Sequence, residues 1–290
     1  MKHVVLAACL IVVGRKTAMS TTLNIGILNL MHDKVDTQKR FSHVLTQTDL
    51  PVAITYFYPV THYRGRAVPK TVAQISQPLD LSLIPQFDGF IVTGAPLEKL
   101  PFTAVTYHQE LVQLFDCLRA QQLEQLYVCW GAMAALNHFY GIEKQLLPRK
   151  LFGIYPQKIL QAAPLLQGLQ NGFLAPHARY AEMNAEQINS NSALALTAVS
   201  TTDALFLVEN RVAHQHFVFS HLEYGQQALQ KEYQRELAAA PQQKATLAKP
   251  QHYFKNDAAM TDPVFAWQAT QQHFFKNWLH IVMAKKVGGL

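Results

Sequence analysis

The sequence predicts an α/β fold, a parallel sheet with helices packed on both faces and a small C-terminal extension. Three observations lead there. Short aliphatic runs alternate with amphipathic stretches up to Gly141, the pattern of a doubly wound sheet. Apolar residues make up 49% of the 290 and charged residues only 15%, enough for a substantial core. Polar segments or tight turns follow the aliphatic runs, at the strand ends where such sheets bind ligands.

Leu23 to Leu30 (LNIGILNL) is a buried first strand that runs into the polar His32-Asp33-Lys34. From Asp36 to Leu45, Phe41, Val44 and Leu45 recur at helical spacing. Val52 to Tyr58 is a second strand, and the prolines at 59, 69, 78 and 85 make residues 59–85 a loop with short helical pieces. Gly89 to Thr93 is a third strand, ending in the turn Gly94-Ala95-Pro96. Leu111, Leu114, Phe115 and Leu118 mark an amphipathic helix over 107–118. Gln125 to Val128 is a fourth strand, running through Cys129-Trp130-Gly131 into a helix from Ala132 to Phe139. Beyond Gly141 the chain turns β-rich, with strands expected at 154–160, 194–200, 204–208 and 216–220. A helix over 226–239, a loop over 240–262 and a closing helix over 271–285 complete it, and no internal repeat is present.

Charge and cysteine content exclude several function classes. The net charge of +6 is spread without runs of one sign, so no nucleic-acid partner is implied. Three cysteines (Cys9, Cys117, Cys129) permit at most one disulfide, which suits a reducing, cytoplasmic compartment. The apolar run Val4 to Val13, at ten residues, is too short to cross a bilayer, and the basic residues Arg15 and Lys16 after it suit signal cleavage poorly. Residues 1–18 therefore read as an extension or as an upstream start before Met19, with a single domain over 19–290 and no membrane association.

Cys129 carries the first chemical signal. A cysteine at a strand-to-helix junction stands on a sharp turn at the top of the sheet, with a helix N-terminus that favours the thiolate. Free cysteines are commonly core residues, so the assignment needs a partner. His221 follows a strand, in Phe219-Ser220-His221-Leu222-Glu223-Tyr224, and Glu223 falls on the same side of an extended chain. Glu223 could then fix the imidazole tautomer and support the imidazolium, which makes Cys129, His221 and Glu223 a candidate triad. No metal is expected, since neither CxxC nor HExxH occurs, and no Gly-rich phosphate loop is present.

These residues resemble the homoserine O-acyltransferases of methionine biosynthesis over about Asn24 to Val282. The likeness lies in Asn29-Leu30-Met31 with Lys34; Phe87 to Leu97 (FDGFIVTGAPL); Val128-Cys129-Trp130 with Ala134-Ala135-Leu136; Tyr140-Gly141-Ile142; Phe173 to His177 with Arg179-Tyr180; and His221 with Glu223-Tyr224.

The resemblance implies a class I glutamine-amidotransferase-like (flavodoxin-like) fold and a homodimer. It implies Cys129 as acyl-thioester nucleophile, His221 as proton acceptor and Glu223 as its orienting carboxylate. Lys150, Glu232 and Arg235 match substrate-binding positions, and an arginine is well suited to clamp a carboxylate. Glu98 matches the position that sets the acyl donor, where glutamate accompanies acetyl-CoA and glycine succinyl-CoA. The oxyanion would meet backbone N–H groups of Trp130 and Ala95.

No bound cofactor is implied; acetyl-CoA enters as co-substrate. Ala178 stands where the family carries a substrate-binding serine, Trp267-Gln268-Ala269-Thr270 where Trp-Arg-Ser-His is usual, and the segment before the first strand is short. These departures favour L-serine slightly over L-homoserine, with both acceptors open, since one methylene is worth only about 1–3 kcal/mol. Homoserine O-succinyltransfer, a glutaminase-like hydrolase and a non-catalytic family member are the alternatives.

Overall fold

The computed structural model describes residues 22–288. The apolar run at 4–13, Met19 and the 1–18 extension lie outside the described residues.

The first half follows the expected alternation. Strand β1 (Leu23–Leu28) leads to helix α1 (Lys34–Thr46), whose first turn is capped by the Asp33 carboxylate accepting from the Asp36 N–H at 2.9 Å. Strand β2 (Val52–Tyr58) is followed by short helix α2 (Lys70–Ile75), two-residue strand β3 (Gln77–Pro78) and strand β4 (Gly89–Val92). Helix α3 (His108–Ala120) buries its predicted stripe of Leu111, Leu114, Phe115 and Leu118. Strand β5 (Glu124–Val128) is buried throughout, and helix α4 (Trp130–Tyr140) ends on Gly141 in the left-handed conformation.

The second half departs from a purely parallel sheet. It contains β6 (Lys144–Ile159), β7 (Leu174–Met183), short helix α5 (Ala185–Ser190), β8 (Ala195–Ser200), β9 (Leu205–Asn210) and β10 (Gln215–Val218). Helix α6 (Ala228–Ala239), a small hairpin of β11 (Phe254–Asn256) and β12 (Thr261–Pro263), and helix α7 (Gln268–Gly288) follow. The sheet order is β3-β2-β1-β4-β5-β10-β9-β8-β6-β7. Pairing is parallel from β3 to β10 and antiparallel from β10 to β7.

Two expectations need correction here. Strand β7 and the first ten residues of β6 (144–153) read as no strand in the sequence, because Pro148 and Pro176 interrupt the alternation that marks one. They pair as a long two-stranded arm at the sheet edge, with a register shift between Leu146 and Leu151. The 240–262 loop holds β11 and is itself stitched to the sheet, where Ile154 N–H donates to Gln251 O and Gln251 N–H to Phe152 O, each at 2.9 Å.

The core lies on both faces of the sheet. Phe41 of α1, Leu229 of α6 and Trp278 of α7 belong to one cluster, and Leu114 of α3 and Leu136 of α4 to the other. Burying a side chain of this size contributes roughly 1.5–3 kcal/mol. The packing fixes the C-terminal ends of β1, β4, β5 and β10 side by side, where the site is found.

Candidate active site

Cys129 stands between β5 and α4 at φ 49° and ψ −112°, a backbone conformation that an L-residue adopts only when its surroundings enforce it. Enforcement comes from two sides. The Cys129 N–H donates to Val218 O at 2.8 Å, and α4 starts so close to β4 that a Cβ on Gly131 would lie 2.7 Å from Thr93 O. The turn Gly94-Ala95-Pro96 packs across the top: a Cβ on Gly94 would meet Cys129 Cβ at 3.3 Å and His221 Cε1 at 3.4 Å. The sharp strand-to-helix turn expected from the strand–Cys–Gly–helix order is therefore present.

His221 follows β10 and is anchored by its own N–H to Pro176 O on β7 at 2.9 Å. Its Nδ1–H donates to Glu223 Oε1 at 2.8 Å, and its ring stacks on Tyr224 with centroids 4.4 Å apart and planes 22° apart. Burial opposes charge on this imidazole, yet Cys129 on one side and Glu223 on the other outweigh it and hold the pKa well above the ordinary histidine value. The three side chains of the expected triad thus stand together, sulfur and carboxylate on opposite sides of one ring. Such a pairing can activate a sulfur nucleophile and later accept a hydroxyl proton.

A cavity of about 290 Å³ opens beside them. Cys129, His221, Ala95, Glu98, Lys150, Ala178, Glu232 and Arg235 all contribute to its wall. Only Glu223, behind the histidine, and Trp130, whose buried ring packs against Phe102 and Tyr107, stand outside the lining. The residues given catalytic, oxyanion, substrate or acyl-donor roles in the sequence are therefore all at this end of the sheet.

Part of the cavity wall is ionic. Lys150 on β6 has its ammonium between Glu232, in direct contact, and Glu236 Oε1 at 2.6 Å. Glu236 Oε2 accepts from Tyr180 OH at 2.8 Å, and Glu232 Oε2 from Tyr224 OH at 2.9 Å. Burial would raise the Glu232 carboxyl, but Lys150 and His221 reverse that and hold it below the ordinary range. Glu98 goes the other way: burial, with Glu232 adding to it, pushes its carboxyl up. Arg235 stands exposed on α6 at the cavity edge and forms no ion pair among the described residues.

Sequence reasoning missed Glu236, Tyr180 and Tyr224 as members of this network. The spacing of Glu232 and Glu236, four apart on a helix, was the available signal, because it puts both carboxylates on one face. Among the described residues no cluster of His, Cys, Asp and Glu could hold a metal ion, and no helix is long and apolar enough to cross a membrane.

Comparison with known proteins agrees with this architecture. Two solved glutamine amidotransferases share the fold. The one from Thermotoga maritima has a TM-score of 0.56 at 9% identity, covering 91% of this chain and 98% of its own. The one from Methylobacillus flagellatus has a TM-score of 0.53 at 13% identity, covering 93% and 95%. A serine O-acetyltransferase from Lacticaseibacillus casei is 48% identical over 260 residues, which is 90% of this chain and 95% of that protein. A homoserine O-acetyltransferase from Thermotoga petrophila is 34% identical over 264 residues, 91% of this chain and 86% of that one. The family model described as homoserine O-succinyltransferase matches residues 6–288. With a class I glutamine-amidotransferase-like sheet and this extent of similarity, the chain belongs to the homoserine O-succinyltransferase family and is an O-acyltransferase.

Proposed function

We propose that the protein transfers an acetyl group from acetyl-CoA to the side-chain hydroxyl of a small hydroxy-amino acid, L-serine ahead of L-homoserine, in the service of cysteine or methionine biosynthesis. The observation that carries this reading is a single cavity lined at once by Cys129, His221, Glu98 and the Lys150–Glu232–Arg235 wall. Relatives named serine O-acetyltransferase, at 48% and 47% identity, stand well above the homoserine O-acetyltransferases at 33–35%.

The chemistry is ping-pong. The Cys129 sulfur attacks the thioester carbonyl, the carbon–sulfur bond to CoA breaks, and His221 returns a proton to the departing thiol. The amino acid then enters, its hydroxyl proton passes to His221, and its oxygen attacks the acetyl-cysteine carbonyl and releases the sulfur. Glu223 holds the imidazole through Nδ1 and steadies its charge. The negative oxygen of each tetrahedral intermediate sits against backbone N–H groups at Ala95 and Trp130.

Lys150, Glu232 and Glu236 together carry one negative charge when all are ionised, which suits an α-ammonium group, while Arg235 suits the α-carboxylate. Glu98 fills the acyl end of the cavity and, when ionised, repels a donor that carries its own carboxylate. Ala178, with no hydroxyl to offer the longer acceptor, supports serine.

Brief exposure to acetyl-CoA, followed by mass spectrometry, is expected to give one acetyl adduct that maps to Cys129 and disappears when L-serine is added. Steady-state rates should then rank serine over homoserine and acetyl-CoA over succinyl-CoA. An adduct elsewhere overturns the nucleophile assignment, and equal turnover of succinyl-CoA overturns the role of Glu98.

A further inference from the structure

A second cavity of about 280 Å³ lies beside the first, and Met31, Pro96, Leu97 and Leu100 belong to the walls of both. Its composition differs. Leu30, Val105, Pro59 and Tyr107 make it largely apolar, and none of the residues that line it is acidic. Its polar groups are mostly uncharged in effect. Burial keeps His32 and His62 below the ordinary histidine value, assisted by Arg235 for the first and Arg66 for the second. Lys34 has its ammonium turned inward, donating to Asn29 O at 2.7 Å and Met31 O at 3.1 Å.

The far end of this cavity is basic. Tyr63 also lines a third hollow, of about 260 Å³, whose wall includes Arg64 and Arg66. Arg66 is held in place: its Nε and Nη2 donate to His62 O at 3.2 and 3.0 Å, and its guanidinium lies 5.1 Å from the Tyr63 ring centre. Among the described residues neither arginine pairs with a carboxylate. Glu110, which pins this segment, spends both oxygens inward on the Val60 N–H, the Thr61 N–H and the Thr61 hydroxyl. Outward from Cys129, the wall therefore changes from ionic to apolar with neutral hydrogen-bonding groups, and then to unpaired cationic.

Beyond the ionic wall, which suits the amino acid, the last two of these chemistries match an acyl-CoA read outward from its thioester: an amide-bearing aliphatic arm, then a polyphosphorylated nucleotide. We propose that the second cavity seats the pantetheine arm of the acyl donor, and that Arg64 and Arg66 receive its phosphates. The inference rests on the transferase reading above and adds to it a route of entry separate from the amino-acid wall. A neutral His32 can donate to and accept from the arm's amides, and His62, whose Nε2 accepts from Arg66 Nη2 at 2.7 Å, keeps Nδ1–H to donate; arginine forks suit phosphate oxygens. A larger cavity of about 920 Å³ on the other side of Lys150 fits less well. It meets the catalytic cavity at Lys150 and Leu247, and its basic Arg149, Lys244 and Lys249 are offset by Glu182 and Asp203.

The test compares two donors and two double variants. In Arg64→Glu/Arg66→Glu, KM for acetyl-CoA is expected to rise about tenfold or more, while KM for S-acetylpantetheine, which lacks the nucleotide, moves less than twofold. Calorimetric binding of free CoA should weaken in parallel. In Lys244→Glu/Lys249→Glu both KM values should stay within twofold of wild type. An unchanged KM for acetyl-CoA in the arginine variant, or a rise confined to the lysine variant, overturns the site and leaves the transferase reading intact. If wild type accepts neither donor, the transferase reading itself fails, and the calorimetry decides the site alone. CoA binding lost in the arginine variant supports it, and absence of binding to wild type ends it.

Discussion

Strand β10 and the residues just after it carry two buried histidines, five positions apart, and each is paired with glutamate. His216 has both ring nitrogens occupied: Nδ1 by Glu209 Oε1 at 2.9 Å and Nε2 by Glu124 Oε2 at 3.1 Å. His221 has Nδ1 on Glu223 and presents the rest of its ring to Cys129 and the cavity. Burial works against charge on both; two carboxylates overcome it for His216, whose pKa rises to about 9, and Cys129 together with Glu223 overcomes it for His221. The direction of titration fails to tell them apart. What separates them is whether a ring nitrogen is left for chemistry, and a space in which to do it.

The sharpest way to break this contrast is to remove the sulfur partner of His221 and, separately, His216 itself. Cys129→Ala should lower turnover by about 10⁴-fold or more without shifting the melting temperature; loss of activity through unfolding, seen by circular dichroism, would count against it. His216→Leu should do the reverse. It takes from Glu124 and Glu209 the buried cation they share, leaving them only the more exposed His214 and Arg211, so stability should fall by about 3 kcal/mol, read in denaturant titrations, while the folded fraction keeps its kcat. A variant that folds normally but is inactive would place His216 in the reaction.

Glu223→Gln should cost about 10²–10⁴ in kcat by weakening support for the imidazolium, with little change in stability. The pH response sharpens the comparison further. Stabilisation from a histidine raised to about 9 is fully present below its unfolded value of 6.5 and is lost as pH rises through about 9. Glu124 and Glu209, held below 4.5 by His216 despite burial, lose theirs as pH falls below that value. Wild-type melting temperature should therefore be highest between about pH 4.5 and 6.5 and fall on both sides, and the fall between about pH 6.5 and 9 should shrink in His216→Leu, where only His221 is left to contribute it. The smallest effect is expected from Tyr224→Phe, which keeps the ring stacked on His221 but deletes the hydroxyl bond to Glu232. A change of about 1 kcal/mol should appear in the acceptor KM rather than in kcat.

The same contrast explains how much was legible beforehand. Cys129 was readable because a strand, a cysteine, a glycine and a helix follow one another within a few residues, and that local order builds the elbow. His221 and Glu223 were readable because they alternate on an extended segment. His216 has Val218 where His221 has Glu223, so the rules passed it over, and nothing in its neighbourhood in the chain revealed Glu124, which lies 92 residues away. The ionic wall was hidden for a similar reason. Lys150 meets Glu232 and Glu236 across more than 80 residues, through an edge arm whose prolines concealed it.

Periodicity and turn chemistry act over a few residues, so they decided the parallel half of the sheet, the elbow and the spacing of the histidine and its carboxylate. Which buried charges meet, which histidine keeps a free nitrogen, and where apolar space is left beside the sulfur depend on how the antiparallel arm and helix α6 close over the sheet. Those contacts join distant parts of the chain, and only folding brings them within reach of one another.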